Sequence, residues 1–121
     1  MNHFFHIPSV WPPFVEERRL ALLAICRQHH LKRLWLFGSV LQPEKFGPQS
    51  DVDVLFEFWE ERIADPDYLK NWDMFESKVQ QLFNRNIDLV HYPSLQNPYF
   101  MEEMEEKAQL LYDSTSKEVP V

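Results

Sequence analysis

Three segments of the chain carry the hydrophobic pattern of β-strands. The clearest is Asp51–Phe58 (DVDVLFEF), where apolar residues recur at every second position and would share one face of a strand. Leu31–Phe37 (LKRLWLF) and Asn86–His91 (NIDLVH) are short apolar runs of strand length, and Pro93 stops the second of them. The pattern therefore predicts three strands.

Helical patterns alternate with these strands. The first runs from about Phe14 to His30, after a Pro12-Pro13 pair that is well tolerated at a helix start. The second carries an apolar stripe at intervals of four and three residues, typical of an amphipathic helix. Its members are Tyr68, Trp72, Phe75, Val79 and Leu82. The third opens at Asn97-Pro98, a good N-cap and first-turn pair, and places apolar residues on one face. These residues are Phe100, Met104, Ala108 and Leu111.

The order helix, strand, strand, helix, strand, helix predicts the α+β (α/β-like) fold class, a small mixed β-sheet with helices packed on it. We expect residues 1–121 to form a single domain, since this length suits one hydrophobic core. The core would span about residues 14–112, between an N-terminal arm at 1–13 and a polar tail at 113–121. Residues 38–50 and 60–66 are predicted to be loops.

Composition excludes several classes of protein. The chain has 12 basic and 19 acidic residues, a formal net charge of −7, so we expect no direct nucleic-acid binding. One cysteine excludes an internal disulfide and a Cys₄ zinc site, and two glycines exclude a glycine-rich dinucleotide loop. The longest apolar run, Leu20–Cys26, is too short for a membrane span, and no leader is visible. We therefore expect a soluble, cytoplasmic protein.

Gly38 and Ser39 directly follow the first predicted strand. Glycine lets the backbone turn sharply and lets a ligand approach the backbone amides. The serine hydroxyl can donate a hydrogen bond to a phosphate oxygen. Taken alone, the pair also fits an ordinary turn.

Three aspartates lie on the other two predicted strands. Asp51 and Asp53 are two positions apart, so both carboxylates project from the same face, where they could bind Mg²⁺. An isolated pair of this kind also fits a solvated strand face. Asp88 is the one polar residue in Ile87–Val90 and fits an outward-facing position. If the two strands are neighbours, Asp88 would complete a three-carboxylate cluster suited to two-metal phosphoryl transfer.

These features together resemble the minimal nucleotidyltransferases of the DNA-polymerase-beta-type superfamily. The matching runs are Leu36–Leu41 (LFGSVL), Phe46–Phe58 (FGPQSDVDVLFEF) and Ile87–Val90 (IDLV). The segment from Asn97 to Tyr112 is also similar to the last helix of that family. The resemblance covers about residues 14–112, and its motifs are specific as a combination. It implies the nucleotidyltransferase fold.

The resemblance implies a role for each residue of the motifs. Gly38 and Ser39 would hold the triphosphate of an ATP substrate. Asp51, Asp53 and Asp88 would be the catalytic residues and the ligands of Mg²⁺, with two ions bound. Asp88 would also take the proton from the hydroxyl group that receives the nucleotide.

Two further residues are expected to bind the nucleotide. Ser50 belongs to the Ser-Asp-x-Asp motif and is included on that ground. Many family members carry an arginine shortly after Gly-Ser, where this chain has Gln42. Lys45 is the cation that could replace that arginine, although it lacks the two-pronged hydrogen bonding of a guanidinium group.

The small size of the chain bears on the acceptor. We expect no separate acceptor-binding domain, so the acceptor is either small or brings its own docking surface. The resemblance implies the second case, because minimal nucleotidyltransferases commonly act as antitoxins of HEPN-domain ribonuclease toxins. They transfer AMP from ATP to a tyrosine of the toxin. Two alternatives stay open: an antitoxin that neutralises the toxin by binding alone, and a nucleotidyltransferase of small molecules.

Overall fold

A single four-stranded sheet lies at the centre of the computed structural model, which describes residues 3–116. The strands are β1 (Leu31–Phe37), β2 (Val52–Phe58), β3 (Ile87–His91) and β4 (Gln109–Asp113). Their order is β3-β2-β1-β4. β1 is antiparallel to β2 and β4, whereas β2 and β3 are parallel. This mixed sheet with packed helices confirms the predicted fold class. Residues 1–2 of the predicted arm and 117–121 of the predicted tail lie outside the described residues.

Five α-helices surround the sheet within residues 3–116. They are α1 (Pro13–Glu16), α2 (Arg19–Gln28), α3 (Glu60–Ile63), α4 (Tyr68–Phe83) and α5 (Pro98–Lys107). The apolar stripe of α4 is confirmed, since Phe75, Val79 and Phe83 are buried. Asn97 caps α5 as predicted, because its side-chain oxygen accepts hydrogen bonds from backbone N–H groups of the first turn. None of these helices is long and apolar enough to cross a membrane.

The two faces of the sheet are covered differently. On one face, α1, α2 and α4 bury a large apolar cluster that includes Leu36, Val54 and Phe56. The other face is covered by α5 and a short 3-10 helix at residues 3–5, which contribute Met104 and Phe4 to a smaller cluster. This second face is only partly covered, and it carries the candidate site.

A fourth strand replaces the end of the last predicted helix. We expected that helix to reach Leu111, but α5 ends at Lys107, and Ala108 has the extended backbone angle ψ 142°. The apolar spacing fits a helix as well as a strand. The structure selects the strand because β4 provides hydrogen-bond partners for the outer edge of β1 and buries Leu110 and Leu111.

The first predicted helix is also interrupted. α1 and α2 are separated at residues 17–18, where the side chain of Arg18 donates a 2.8 Å hydrogen bond to the carbonyl oxygen of Phe14. In a continuous helix that oxygen would accept from the backbone N–H of Arg18, which instead donates to Val15 at 2.9 Å. Likewise, the predicted loop 60–66 contains the short helix α3.

Phe4 anchors the N-terminal segment on the open face of the sheet. It is fully buried, its ring stacks on Trp35 at a centroid distance of 4.6 Å, and its carbonyl oxygen accepts a 2.7 Å hydrogen bond from the Trp35 indole. Substituting Phe4→Ala should therefore lower the free energy of unfolding by about 3–5 kcal/mol, measured by urea denaturation. Phe5→Ala, at a neighbouring residue that is 47% exposed, should cost less than about 1 kcal/mol. Equal losses in the two variants would contradict the anchoring role.

Candidate active site

The sheet brings the three predicted aspartates together at one end. Asp51 lies exposed just before β2, and Asp53 is half-buried within β2. Asp53 is in register with Asp88 on the parallel strand β3, so the two side chains emerge next to each other on the same face. Val52 and Val54 point to the opposite face and are buried under the helices. The alternation along β2 thus separates core residues from site residues.

The carboxylates affect one another electrostatically. The pKa of the Asp53 carboxyl is raised above its ordinary value, mainly because the group is partly buried. The negative charges of Asp88 and then Asp51 raise it further. All three carboxylates therefore contribute to one region of negative potential, which a cation would relieve.

Gly38 lies directly against this cluster. It follows the end of β1, where Phe37 pairs with Asp53, and it has a left-handed backbone angle φ of +76°. A Cβ atom at this position would collide with Oδ2 of Asp53. Glycine is thus required for two independent reasons: the left-handed backbone conformation and the closeness of the Asp53 carboxylate. Ser39 is the next residue, so the predicted Gly-Ser turn lies beside the aspartates.

The loop that leads into the aspartate pair is held by Arg85, which no sequence motif indicates. Its guanidinium group donates hydrogen bonds to the carbonyl oxygens of Gly47, at 2.6 Å, and Ser50, at 3.1 Å. It also lies over the rings of Phe46 and Phe14, at 4.5 and 5.3 Å from their centroids. A single arginine far along the chain gives no sequence signal for such a contact.

The two additional residues expected to bind nucleotide differ in position. Ser50 is next to Asp51, but its hydroxyl oxygen accepts a 2.9 Å hydrogen bond from the Gly47 N–H and closes the loop. Lys45 is exposed on the same loop, and its backbone N–H donates to Gln42 at 2.8 Å. Their nucleotide-binding roles stay predictions.

A pocket of about 600 Å³ opens beside Gly38 and Asp53 on the partly covered face. Its walls come from the N-terminal segment, the end of β1, the turn after it and α5. The side chains that line it include Trp11, Phe37, Gln42, Phe100, Glu103 and Lys107. Sequence patterns did not predict this pocket, because its walls are distant along the chain and meet only in the fold.

The donor atoms of the cluster suit Mg²⁺. Carboxylate oxygens are hard ligands, and magnesium usually binds one or two of them together with water and substrate phosphates. Within residues 3–116, no three carboxylate, histidine or cysteine side chains are grouped closely enough to hold a metal ion by themselves. An ion held by Asp51, Asp53 and Asp88 would therefore need further ligands from substrate or water, and the metal-binding role of these three aspartates stays a prediction.

The contact between Gly38 and Asp53 gives a testable stability difference. Gly38→Ala should lower the free energy of unfolding by about 1–3 kcal/mol, because alanine is strained at this φ and its Cβ displaces the carboxylate. Gly47→Ala is the matched control, since the nearest atom to its added Cβ would be the Ser50 hydroxyl at 4.0 Å. It should stay within about 1 kcal/mol of wild type. Urea denaturation measures both, and equal effects would contradict the steric argument.

The raised pKa of Asp53 gives a second prediction. Its charged form is disfavoured in the folded state, so stability falls as the pH rises through the ordinary aspartate pKa towards the raised one. Asp53→Asn should therefore increase the melting temperature of the metal-free protein at neutral pH, and this gain should vanish at pH values below the ordinary pKa. Asp73→Asn, at an exposed position of α4, should show no such gain. Thermal unfolding in EDTA tests both, and a gain that is independent of pH would contradict the prediction.

Comparison with known proteins identifies the family. Residues 21–117 match the family model described as Polymerase beta, Nucleotidyltransferase. The "Putative protein adenylyltransferase MJ0128" of Methanocaldococcus jannaschii is 34% identical over 79 residues, 65% of this chain and 74% of that protein.

Solved structures show the same fold. A structure described as a "putative minimal nucleotidyltransferase" has a TM-score of 0.62 and 25% identity, covering 83% of this chain and 95% of that one. A toxin-antitoxin with AMP-PNP has a TM-score of 0.56 and 21% identity, over 82% and 73%. The toxin-antitoxin MntA-HepT has a TM-score of 0.54 and 17% identity, over 83% and 74%. The family match covers most of the chain, which belongs to the polymerase-beta family of nucleotidyltransferases.

Proposed function

We propose that this nucleotidyltransferase transfers AMP from ATP to a tyrosine hydroxyl of a HEPN-domain ribonuclease toxin and thereby acts as its antitoxin. The observation that carries the proposal is the cluster in which Gly38, Asp53 and Asp88 adjoin one another. The name of the archaeal relative supports protein adenylylation. The toxin-antitoxin structures, one of them with AMP-PNP, support the class of partner and of nucleotide.

The reaction is a substitution at phosphorus. The tyrosine oxygen forms a bond to the α-phosphorus of ATP, the bond from that phosphorus to the bridging oxygen breaks, and pyrophosphate leaves. Mg²⁺, when bound, would neutralise charge on the phosphates. Asp51 and Asp53 are the residues that would hold it, and the Gly38-Ser39 turn would position the phosphate chain.

We propose that Asp88 receives the proton that the hydroxyl group loses. It is exposed, whereas its in-register neighbour Asp53 is half-buried, and β3 is an edge strand. An acceptor arriving from solvent can therefore reach Asp88 at the β3 edge of the sheet. A positioned carboxylate on that side can act as a general base.

The open face favours a macromolecular acceptor. Tyr99, at the start of α5, is 82% exposed, and exposed aromatic residues are frequent contacts in protein interfaces. Later positions of the same helix are acidic: Glu102, Glu103, Glu105 and Glu106. These acidic residues complement the basic surface that a ribonuclease uses to bind RNA, and such complementarity speeds association.

A transfer assay tests the proposal. The chain is incubated with labelled ATP, Mg²⁺ and purified HEPN-domain toxin, and label on a toxin tyrosine is identified by mass spectrometry. Asp53→Asn should reduce the initial rate by on the order of 10²–10³-fold or more, because it removes charge that positions the metal and phosphates. Asp73→Asn should retain wild-type transfer, and EDTA should stop it.

Two outcomes would contradict the proposal. Absence of label on the toxin, with an active adenylyltransferase pair as positive control, would exclude transfer to this partner. Protection of toxin-expressing cells by a folded Asp51→Ala/Asp53→Ala variant would show that binding alone neutralises the toxin.

A further inference from the structure

The pocket beside Gly38 and Asp53 contains one positively charged side chain among the described residues that line it. This is Lys107, in the last turn of α5. The remaining walls combine aromatic groups, such as Trp11 and Phe100, with a few polar side chains. Such a combination suits a ligand that has a flat apolar part and an anionic part.

An anionic substrate needs a cation at this site. The chain has a net charge of −7, and the three aspartates add negative potential where a nucleoside triphosphate would bind. Metal ions offset part of this repulsion, and a positively charged side chain at the pocket wall would attract the phosphates further.

Two other cations of the sheet region, Arg85 and Arg33, are engaged in contacts of their own. Arg85 donates to two loop carbonyl groups. Arg33 lies on β1 and forms ion pairs with Glu57, at 2.6 Å, and Asp113, at 3.4 Å, with all three side chains largely buried. Removing Arg33 from its partners would leave buried charges unpaired, and removing Arg85 would leave half-buried loop carbonyl groups unpaired. Neither arginine lines the pocket beside Gly38 and Asp53.

Lys107 lines the pocket and is held less firmly than these arginines. Its Nζ lies 3.3 Å from a carboxylate oxygen of Glu103, one turn earlier on α5, and its side chain is 64% exposed. Exposed pairs of this kind contribute little to stability, so a phosphate group can replace the carboxylate. Glu103 lines the same pocket and keeps the lysine at its wall.

We infer that Lys107 binds the phosphate chain of the nucleoside triphosphate substrate, and that Glu103 is its partner when the pocket is empty and competes with the phosphates. This inference rests on the proposed function only in taking ATP as the substrate. It assigns to α5 a part in nucleotide binding besides its packing on the sheet.

Calorimetry with AMP-PNP and Mg²⁺ tests the assignment. Lys107→Gln should weaken binding roughly tenfold, through loss of a charge-assisted hydrogen bond, whereas Lys107→Arg should stay within about threefold of wild type. Glu103→Gln should bind more tightly, by about two- to threefold, since the competing carboxylate is gone. Lys70→Gln removes the same charge at an exposed position of α4, on the other face of the sheet, and should change the affinity less than twofold.

Steady-state kinetics separate the two substrates. Lys107→Gln should raise KM for ATP and leave kcat and KM for the acceptor nearly unchanged. An effect on KM for the acceptor alone would assign the pocket to the acceptor and overturn the inference. Equal AMP-PNP affinities of the Lys107→Gln and Lys70→Gln variants would also overturn it. If Lys107 governs AMP-PNP binding while the toxin is not labelled, the inference stands and the proposed transfer fails.

Discussion

The parallel pairing of β2 with β3 is the constraint on which the site depends. It places Asp53 and Asp88 side by side, although 34 residues separate them along the chain. Two carboxylates at neighbouring sheet positions repel each other, and this repulsion adds to partial burial, the larger cause, in raising the pKa of Asp53. The fold tolerates the repulsion because the opposite face of the same strand is fully buried against helices. Core residues and site residues thus lie on opposite faces of β2.

Contacts from other segments position the backbone around Asp53 and Asp88. Gly38 approaches the Asp53 carboxylate from β1, and Arg85 fixes the loop that precedes Asp51. Phe4 and α5 cover part of the same face, and a pocket opens between α5 and the N-terminal residues 8–12. Helix α5, which closes part of the second core cluster, therefore also forms a wall of the pocket.

The sequence predicted the elements whose signal is local. The alternation in β2 and the stripe of α4 identified a strand and a helix, and the motif spacing identified the residues that the sheet brings together. β4 was assigned wrongly, because its apolar residues fit helical spacing and only pairing with β1 decides between the two structures. Arg85, Lys107 and the pocket escaped prediction since each depends on contacts between segments far apart in the chain.

The closeness of Gly38 to Asp53 also limits how the chain can evolve. A side chain at position 38 meets two separate obstacles, the carboxylate and the left-handed backbone. A lineage that loses the aspartate removes only the first obstacle, so selection for folding alone would still retain the glycine. A glycine at position 38 is therefore weaker evidence of enzymatic activity than an aspartate at position 53.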